Sequence, residues 1–370
     1  MKTTIQIKLY LINEQKKLIK NTMQEYVVTV NRTMADFVKL SGIDKRTTKD
    51  VKANIPSALI NQTISDAKSI FKKYKKDCSS ADNWNKKHIS KKQKTATVPI
   101  LRKPIAIWNN QNWKINGNYI SFPVWNNGKC QRILVKTIIP TEILERLTNS
   151  KLGTLRITMK NNKIIAQIAV DTNISKNNNK GILGVDLGLK IPAVCVTDNG
   201  KVCFIGNGRK NKYIKRKFRS RRKKLGKAKK LNAIRKSQNK EQRIMKDIDH
   251  KLSRKIINFA KSNNIGTIRL EKLANIRKTA RTSRKNEKNL HTWSFYRLAQ
   301  NIEYKANLIG IGVQYVNPAY TSQICPSCGK RNHANDRKYI CACGFHGHRD
   351  IVGARNIINA PVISGNSLSA

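Results

Sequence analysis

The stretch "GILGVDLGLKIPAVCVTDNGKVCFIG", residues 181–206, sets one acid, Asp186, in a run of apolar residues and glycine. It reads as three short strands, with an Asn-Gly turn between the second and the third. Asp186 should therefore fall on a buried strand, where an acid is costly unless it is paired or bound to metal. Two further acids stand in comparable places. Glu271 closes the apolar strand "TIRLE" (267–271), and Asp350 opens a helix in "HRDIVGARNI" (348–357). An acid at a helix start also suits the helix dipole, which is the plainer account of Asp350 taken alone.

Taken together the three acids imply more. Only ten acids occur after residue 180, and these three are the ones in apolar or helix-start settings. Like charges about 4 Å apart cost about 4 kcal/mol even at an effective dielectric near 20. Three carboxylates that converge within a few ångströms therefore need cations, and hard oxygen ligands suit magnesium or manganese. Two such ions can activate a water and stabilise the leaving oxygen of a phosphodiester. The residues thus predict a metal-dependent nuclease centred on Asp186, Glu271 and Asp350.

The segment before Asp350 carries a second signal. "CPSCGKRNHANDRKYICACGFHGHRD" (325–350) spaces its cysteines as Cys325-x2-Cys328-x12-Cys341-x-Cys343. Close cysteine pairs, each followed by a glycine (Gly329, Gly344), are the pattern of a tetrahedral structural zinc site. The second pair is the tighter turn, so His346 and His348 stand as alternatives to one of its sulfurs. A zinc with four protein ligands has no open position for chemistry, and Asp350 is not needed there. Such a site contributes roughly 10–16 kcal/mol to holding a loop with almost no core. The remaining cysteines, Cys78, Cys130, Cys195 and Cys203, read as small buried side chains.

Charge names the partner. The 370 residues hold 75 Lys and Arg against 21 Asp and Glu, a net charge of +54. That much charge repels itself unless a polyanion neutralises it, so nucleic acid is expected, ahead of an anionic membrane surface. No apolar run approaches a bilayer span, and "MKTTIQIKLYLINEQKK" has too short an apolar segment for a secretory signal. A cytoplasmic, nucleoid-associated prokaryotic protein is expected. From 209 to 230, 14 of 22 residues are Lys or Arg, and no acid occurs between Asp198 and Glu241. Nucleic-acid contact is expected there at Lys215, Arg216, Lys217, Arg219, Arg221, Arg222, Lys223 and Lys224.

The rest of the chain supplies the scaffold. "TIQIKLY" (4–10) alternates like a strand; residues 14–40 and 58–76 carry helical apolar stripes. Residues 95–170 read as β-rich, with hairpins at 113–125, around Asn116-Gly117, and at 154–170. A polar linker (171–180) marks a boundary. Residues 209–262 and 289–309 read as helical, 265–273 and 311–318 as strands, and 350–360 as a helix. With 39% hydrophobic residues the chain can build real cores in a mixed α/β fold.

The order "GVDLG", "IRLEKL", "YTSQICPSCGKRN" and "YICACGFHGHRDIVGARNI" resembles the TnpB family, transposon-associated proteins related to small type V CRISPR effectors. The resemblance is specific over 181–358. "IPSALINQTISDAKSIFKKYKK" looks like that family's recognition-lobe helix, and "LHTWSFYRLAQNIEYKANLIG" like the helix before its last core strand. It implies an RNase H-like (RuvC) nuclease domain over 181–320 and 346–360 and a zinc-binding insertion over 321–345. It further implies a β-barrel-like wedge module over 1–10 and 83–175, a helical recognition lobe over 11–82, and a disordered tail over 361–370. Asp186, Glu271 and Asp350 match its catalytic acids, and Cys325, Cys328, Cys341 and Cys343 its zinc ligands. The implied activity is RNA-guided cleavage of double-stranded target DNA beside a short motif, with a transposon-derived guide RNA, two Mg (or Mn) ions and a structural Zn. A nuclease-inactive guided regulator and a strand-transferring transposase are the alternatives. All three acids are present, and the one His-x-His noted, "HGH" (346–348), falls in the cysteine-bearing segment, where it is expected to pack, and not in the His-x-His with tyrosine arrangement of single-strand transposases.

Overall fold

Strict alternation makes the first strand: in "KTTIQIKLY" the side chains of Ile5, Ile7 and Leu9 are buried and their neighbours face out. The computed structural model describes residues 2–90, 92–160, 163–175, 177–273, 294–334 and 336–363. They form two units, Met1–Asn173 and Ile174–Ala370, each taken by itself.

The first unit contains β1 (Lys2–Tyr10), α1 (Asn13–Lys39), α2 (Ser57–Lys87), β2 (Ile105–Trp108), β3 (Lys114–Asn116), β4 (Tyr119–Asn126), β5 (Lys129–Thr137), α3 (Thr141–Thr148), β6 (Lys151–Lys160) and β7 (Lys163–Asp171). Its seven strands run in the order β2-β6-β7-β1-β5-β4-β3, all pairs antiparallel. The hairpin expected at Asn116-Gly117 is present, with Gly117 at φ 52°. α1 buries Met23, Tyr26, Val30, Met34 and Phe37, the stripe seen in the sequence. α2 continues to Lys87, past the expected end at 76, because its last turns bury nothing and so carry no apolar period. The short α3 buries only Leu147, again too little to announce a helix.

The second unit contains β8 (Gly181–Asp186), β9 (Ala193–Thr197), β10 (Val202–Ile205), α4 (Gly208–Lys227), α5 (Leu231–Ser262), β11 (Ile265–Glu271), α6 (Phe295–Asn307), β12 (Gly312–Val316), β13 (Lys338–Ile340), β14 (His346–His348) and α7 (Arg349–Asn359). The sheet order is β10-β9-β8-β11-β12. β10, β9 and β8 form an antiparallel meander, then β8, β11 and β12 run parallel. Parallel neighbours need crossovers. α4 and α5 lie between β10 and β11 in the chain, and α6 between β11 and β12.

Both faces of this sheet are covered, as expected for strands that read as continuous apolar runs. Leu183, Val185, Ala193 and Cys195 pack with Ile256 and Ile257 of α5 and Ile302 of α6. On the other face Val194 and Val196 meet Ala354 of α7, flanked by Ile351 and Ile358. Gly184 is what lets α7 touch the sheet: a Cβ there would stand 2.0 Å from the Ala354 carbonyl oxygen. The expected tail begins with order. Val362 bridges to Val316, and the Ile363 amide donates to the Tyr315 carbonyl at 3.0 Å. Residues 364–370 and 289–293 of the expected helix lie outside the described residues.

Candidate active site and cysteine cluster

Strand register sets two of the three acids side by side. Leu270 of β11 pairs with Val185 of β8, so Glu271 and Asp186 each follow that pair at the ends of parallel neighbours. Adjacent strands run about 4.8 Å apart. Asp350 arrives from the opposite layer, in the first turn of α7, where its amide donates to His348 Nδ1 at 3.3 Å. One turn on, Gly353 lies directly against Asp186; an added Cβ would sit 3.2 Å from Asp186 Oδ2. The three acids line a single cavity of about 320 Å³, together with Thr321, Ser322, Asp336, Arg337 and Arg349.

The electrostatics show strain between like charges. The carboxyl of Asp186 is pushed well above the usual carboxylate range, first by burial, then by the charges of Glu271 and Asp350, while Arg337 and Arg349 pull it back. Burial raises Glu271 also, opposed by the Thr321 hydroxyl, which donates to Glu271 Oε1 at 2.5 Å. Asp350 is buried and ion-paired through Oδ2 with Arg337. The acids therefore share a cleft, but they do not close as tightly as the sequence suggested. Among the described residues, only the four cysteines bring ligand atoms all within 4.8 Å of one another. One of the three acids, Asp350, is satisfied by the Arg337 guanidinium. A set of hard carboxylate oxygens sharing one cleft fits divalent Mg or Mn.

Sequence reasoning missed Thr321, Arg337 and Arg349. Two of them are cations among 75, where no single one stands out. Thr321 lies just before the cysteines, and its backbone carbonyl accepts from Asn356 of α7 at 2.7 Å, which ties this loop to the helix carrying Asp350. Asp336, counted among the ten acids but not singled out, lines the cleft and pairs with Lys190 at 2.7 Å.

Where the basic helix was expected to act, the structure divides it. Lys215, Arg216 and Arg219 of α4 line a second cavity. Lys217, Arg221, Lys223 and Lys224 are exposed and do not line it, and Arg222 pairs with Glu241 of α5 at 2.5 Å.

The cysteine cluster is built by two tight turns. The Gly329 amide donates to the Cys325 carbonyl and the Gly344 amide to the Cys341 carbonyl, both at 3.0 Å. Both glycines have positive φ, 70° and 86°, which these turns require. The Sγ atoms of Cys325 and Cys343 lie 3.7 Å apart, and those of Cys328 and Cys341 3.6 Å. Tetrahedral zinc with Zn–S of 2.3 Å implies sulfurs about 3.8 Å apart, so the set fits the metal. His348 instead caps α7 and packs edge-on against Phe204, and His346 lies outside the cluster. Of the four scattered cysteines, Cys195 is buried as expected, Cys78 and Cys203 are half-buried, and Cys130 is exposed.

Comparison with known proteins points the same way. The model for "Cas12f1-like, TNB domain" matches residues 295–357, and the OrfB_IS605 model, "Probable transposase", matches 166–277. Over these segments the chain is similar to TnpB and Cas12f proteins. It is 36% identical over 121 residues to a TnpB-like protein of Methanocaldococcus jannaschii, across 32% of this chain and 43% of that one. It is 25% identical over 363 residues to the CRISPR-associated endodeoxyribonuclease Cas12f1 of Sulfoacidibacillus thermotolerans, across 88% of this chain and 82% of the relative. A cryo-EM structure of a Cas12f1-sgRNA-target DNA complex shares the fold, with a TM-score of 0.68 at 17% identity over 96% of this chain and 84% of that chain. No helix among the described residues is long and apolar enough to cross a membrane.

Proposed function

We propose that this TnpB relative is an RNA-guided DNA endonuclease of an insertion-sequence transposon, cutting target DNA beside a short recognised motif. The observation that carries the reading is the meeting of Asp186, Glu271 and Asp350 in one cleft, with Asp186 strained by its two neighbours. The five-stranded sheet and α7 then correspond to an RNase H-like (RuvC) domain, and residues 321–345 to its zinc insertion. The first unit supplies the wedge strands and the helical recognition lobe.

Asp186, Glu271 and Asp350 would hold two Mg or Mn ions, which when bound supply an activated water and stabilise the leaving oxygen of the phosphodiester. The chain's own residues do the rest. Thr321 orients Glu271. Arg337, paired with Asp350, and Arg349 line the cleft and would bind the phosphate being cut. Cys325, Cys328, Cys341 and Cys343 would hold zinc and so keep Arg337 at the cleft. The relatives include a CRISPR-associated endodeoxyribonuclease and TnpB-like proteins, and the complex that shares the fold holds an sgRNA and target DNA, which favours guided cleavage over a silent regulator or a strand-transferring transposase. Guide RNA and duplex DNA would be held largely through phosphates by the +54 charge, with binding that falls steeply as salt rises.

Two measurements test this. RNA that copurifies with the chain should be a reproducible noncoding species ending in a variable segment. Asp186→Ala should abolish cleavage and spare DNA binding; unchanged cleavage would remove Asp186 from the site.

A further inference from the structure

The first turns of α4 form one wall of a cavity of about 70 Å³ that the cleavage chemistry leaves unexplained. Lys212, Lys215, Arg216 and Arg219 all line it, spaced i, i+3, i+4 and i+7, so one helical face presents four cations to the same small space. No acid lies anywhere in residues 208–219. The positive end of the helix dipole points the same way, since Gly208 and Asn211 also line the cavity. Its one acid, Asp249 of α5, is buried and engaged by Arg297 at 2.6 Å and the Ser294 hydroxyl at 3.4 Å, with the charge of Lys215 also acting on it. The cavity has room for a phosphate group.

Position decides which phosphate. Gly188 lines both this cavity and the carboxylate cleft, and it stands two residues beyond Asp186. Consecutive Cα atoms are about 3.8 Å apart, so the two spaces adjoin within one nucleotide's reach. We infer that the Lys212–Lys215–Arg216–Arg219 face is a backbone-phosphate site for the DNA strand being cut. It holds a phosphodiester next to the scissile one and so sets the strand's register across Asp186, Glu271 and Asp350. This assignment rests on the nuclease reading. It separates α4 into a phosphate-gripping face and an opposite face, with Lys217 and Arg221, that does not reach the cavity.

The test uses the full chain and two charge-matched double variants. Binding of a single-stranded DNA oligonucleotide, followed by fluorescence anisotropy over a salt series, should weaken with K212A/R216A. The slope of log K against log salt should become shallower by about 0.7 per lost phosphate contact. K217A/R221A should lose less, and the charge-keeping Lys212→Arg with Arg216→Lys should restore binding, which separates a lost contact from a misfolded helix. Equal losses from the two alanine pairs overturn the site. In cleavage assays, a neutral methylphosphonate at a linkage flanking the scissile bond should slow the unmodified chain but slow K212A/R216A no further. Slowing of both to the same degree overturns the assignment to the cut strand. If the unmodified chain cuts nothing, the nuclease reading fails, while the binding comparison still decides the pocket.

Discussion

The cysteine cluster and the carboxylate cleft lie in the same unit but are assembled by opposite means. The cluster closes on itself between Cys325 and Cys343 through two glycine turns, and its core is little more than Tyr339 and Val352 packed beside two of the sulfurs. The cleft gathers residues 186, 271 and 350 through parallel strand pairing and a helix laid on the sheet. The first site is local, and a bound zinc would supply most of its order. The second has order already and tolerates strain at its centre, because a packed sheet holds the acids whether or not a cation is present.

The largest effect should come from breaking the local site. Cys343→Ser should lose the bound zinc, measured as metal per chain, and open the Lys330–Lys338 segment to trypsin while the sheet resists, since a structural zinc contributes roughly 10–16 kcal/mol. Cleavage should fall with it, because Arg337 hangs from this segment; loss of the sheet's circular dichroism would erase the contrast between the two sites.

Gly184→Ala strikes the tertiary site from a distance. A methyl 2.0 Å from the Ala354 carbonyl oxygen must push α7 off the sheet, costing about 1–3 kcal/mol in thermal or denaturant unfolding. It should separate Asp350 from Asp186 and depress cleavage while zinc content stays intact. Thr321→Val is subtler: losing its hydrogen bond to Glu271, worth about 1 kcal/mol, should raise the divalent-ion concentration needed for half-maximal cleavage about fivefold.

A smaller effect marks the core behind the cleft. Lys305 of α6 is buried, donates to the His250 carbonyl and to Ser253 Oγ, and has its ammonium pushed down to about 8 by burial and by Arg254. Between about 8 and the ordinary 10.5 the unfolded chain binds the extra proton, so stability should rise with pH across that window. Lys305→Met should flatten that rise in denaturant midpoints.

Much of this was legible in residue order alone. The cysteine spacing announced a cluster because all four sit within one turn-rich segment, and short-range geometry is written in short-range sequence. The apolar setting of Asp186 and Glu271 marked both as unusual, and the stripes of α1 announced a helix. The polar end of α2 and the small α3 were silent, since neither buries enough to leave a period.

What composition and spacing settled was the inventory: an acid in each of two strands and at a helix start, four sulfurs in a knuckle, and an excess of cations seeking phosphate. Three-dimensional packing settled who meets whom. It chose Thr321 and Arg337 from many equivalent residues, placed Gly353 against Asp186, and turned one face of α4 toward a cavity beside the cleft. The physical reason is range. A turn or a helical stripe is dictated by neighbours a few residues away, whereas a cleft between β8, β11 and α7 exists only after burial has brought together segments that the chain keeps far apart.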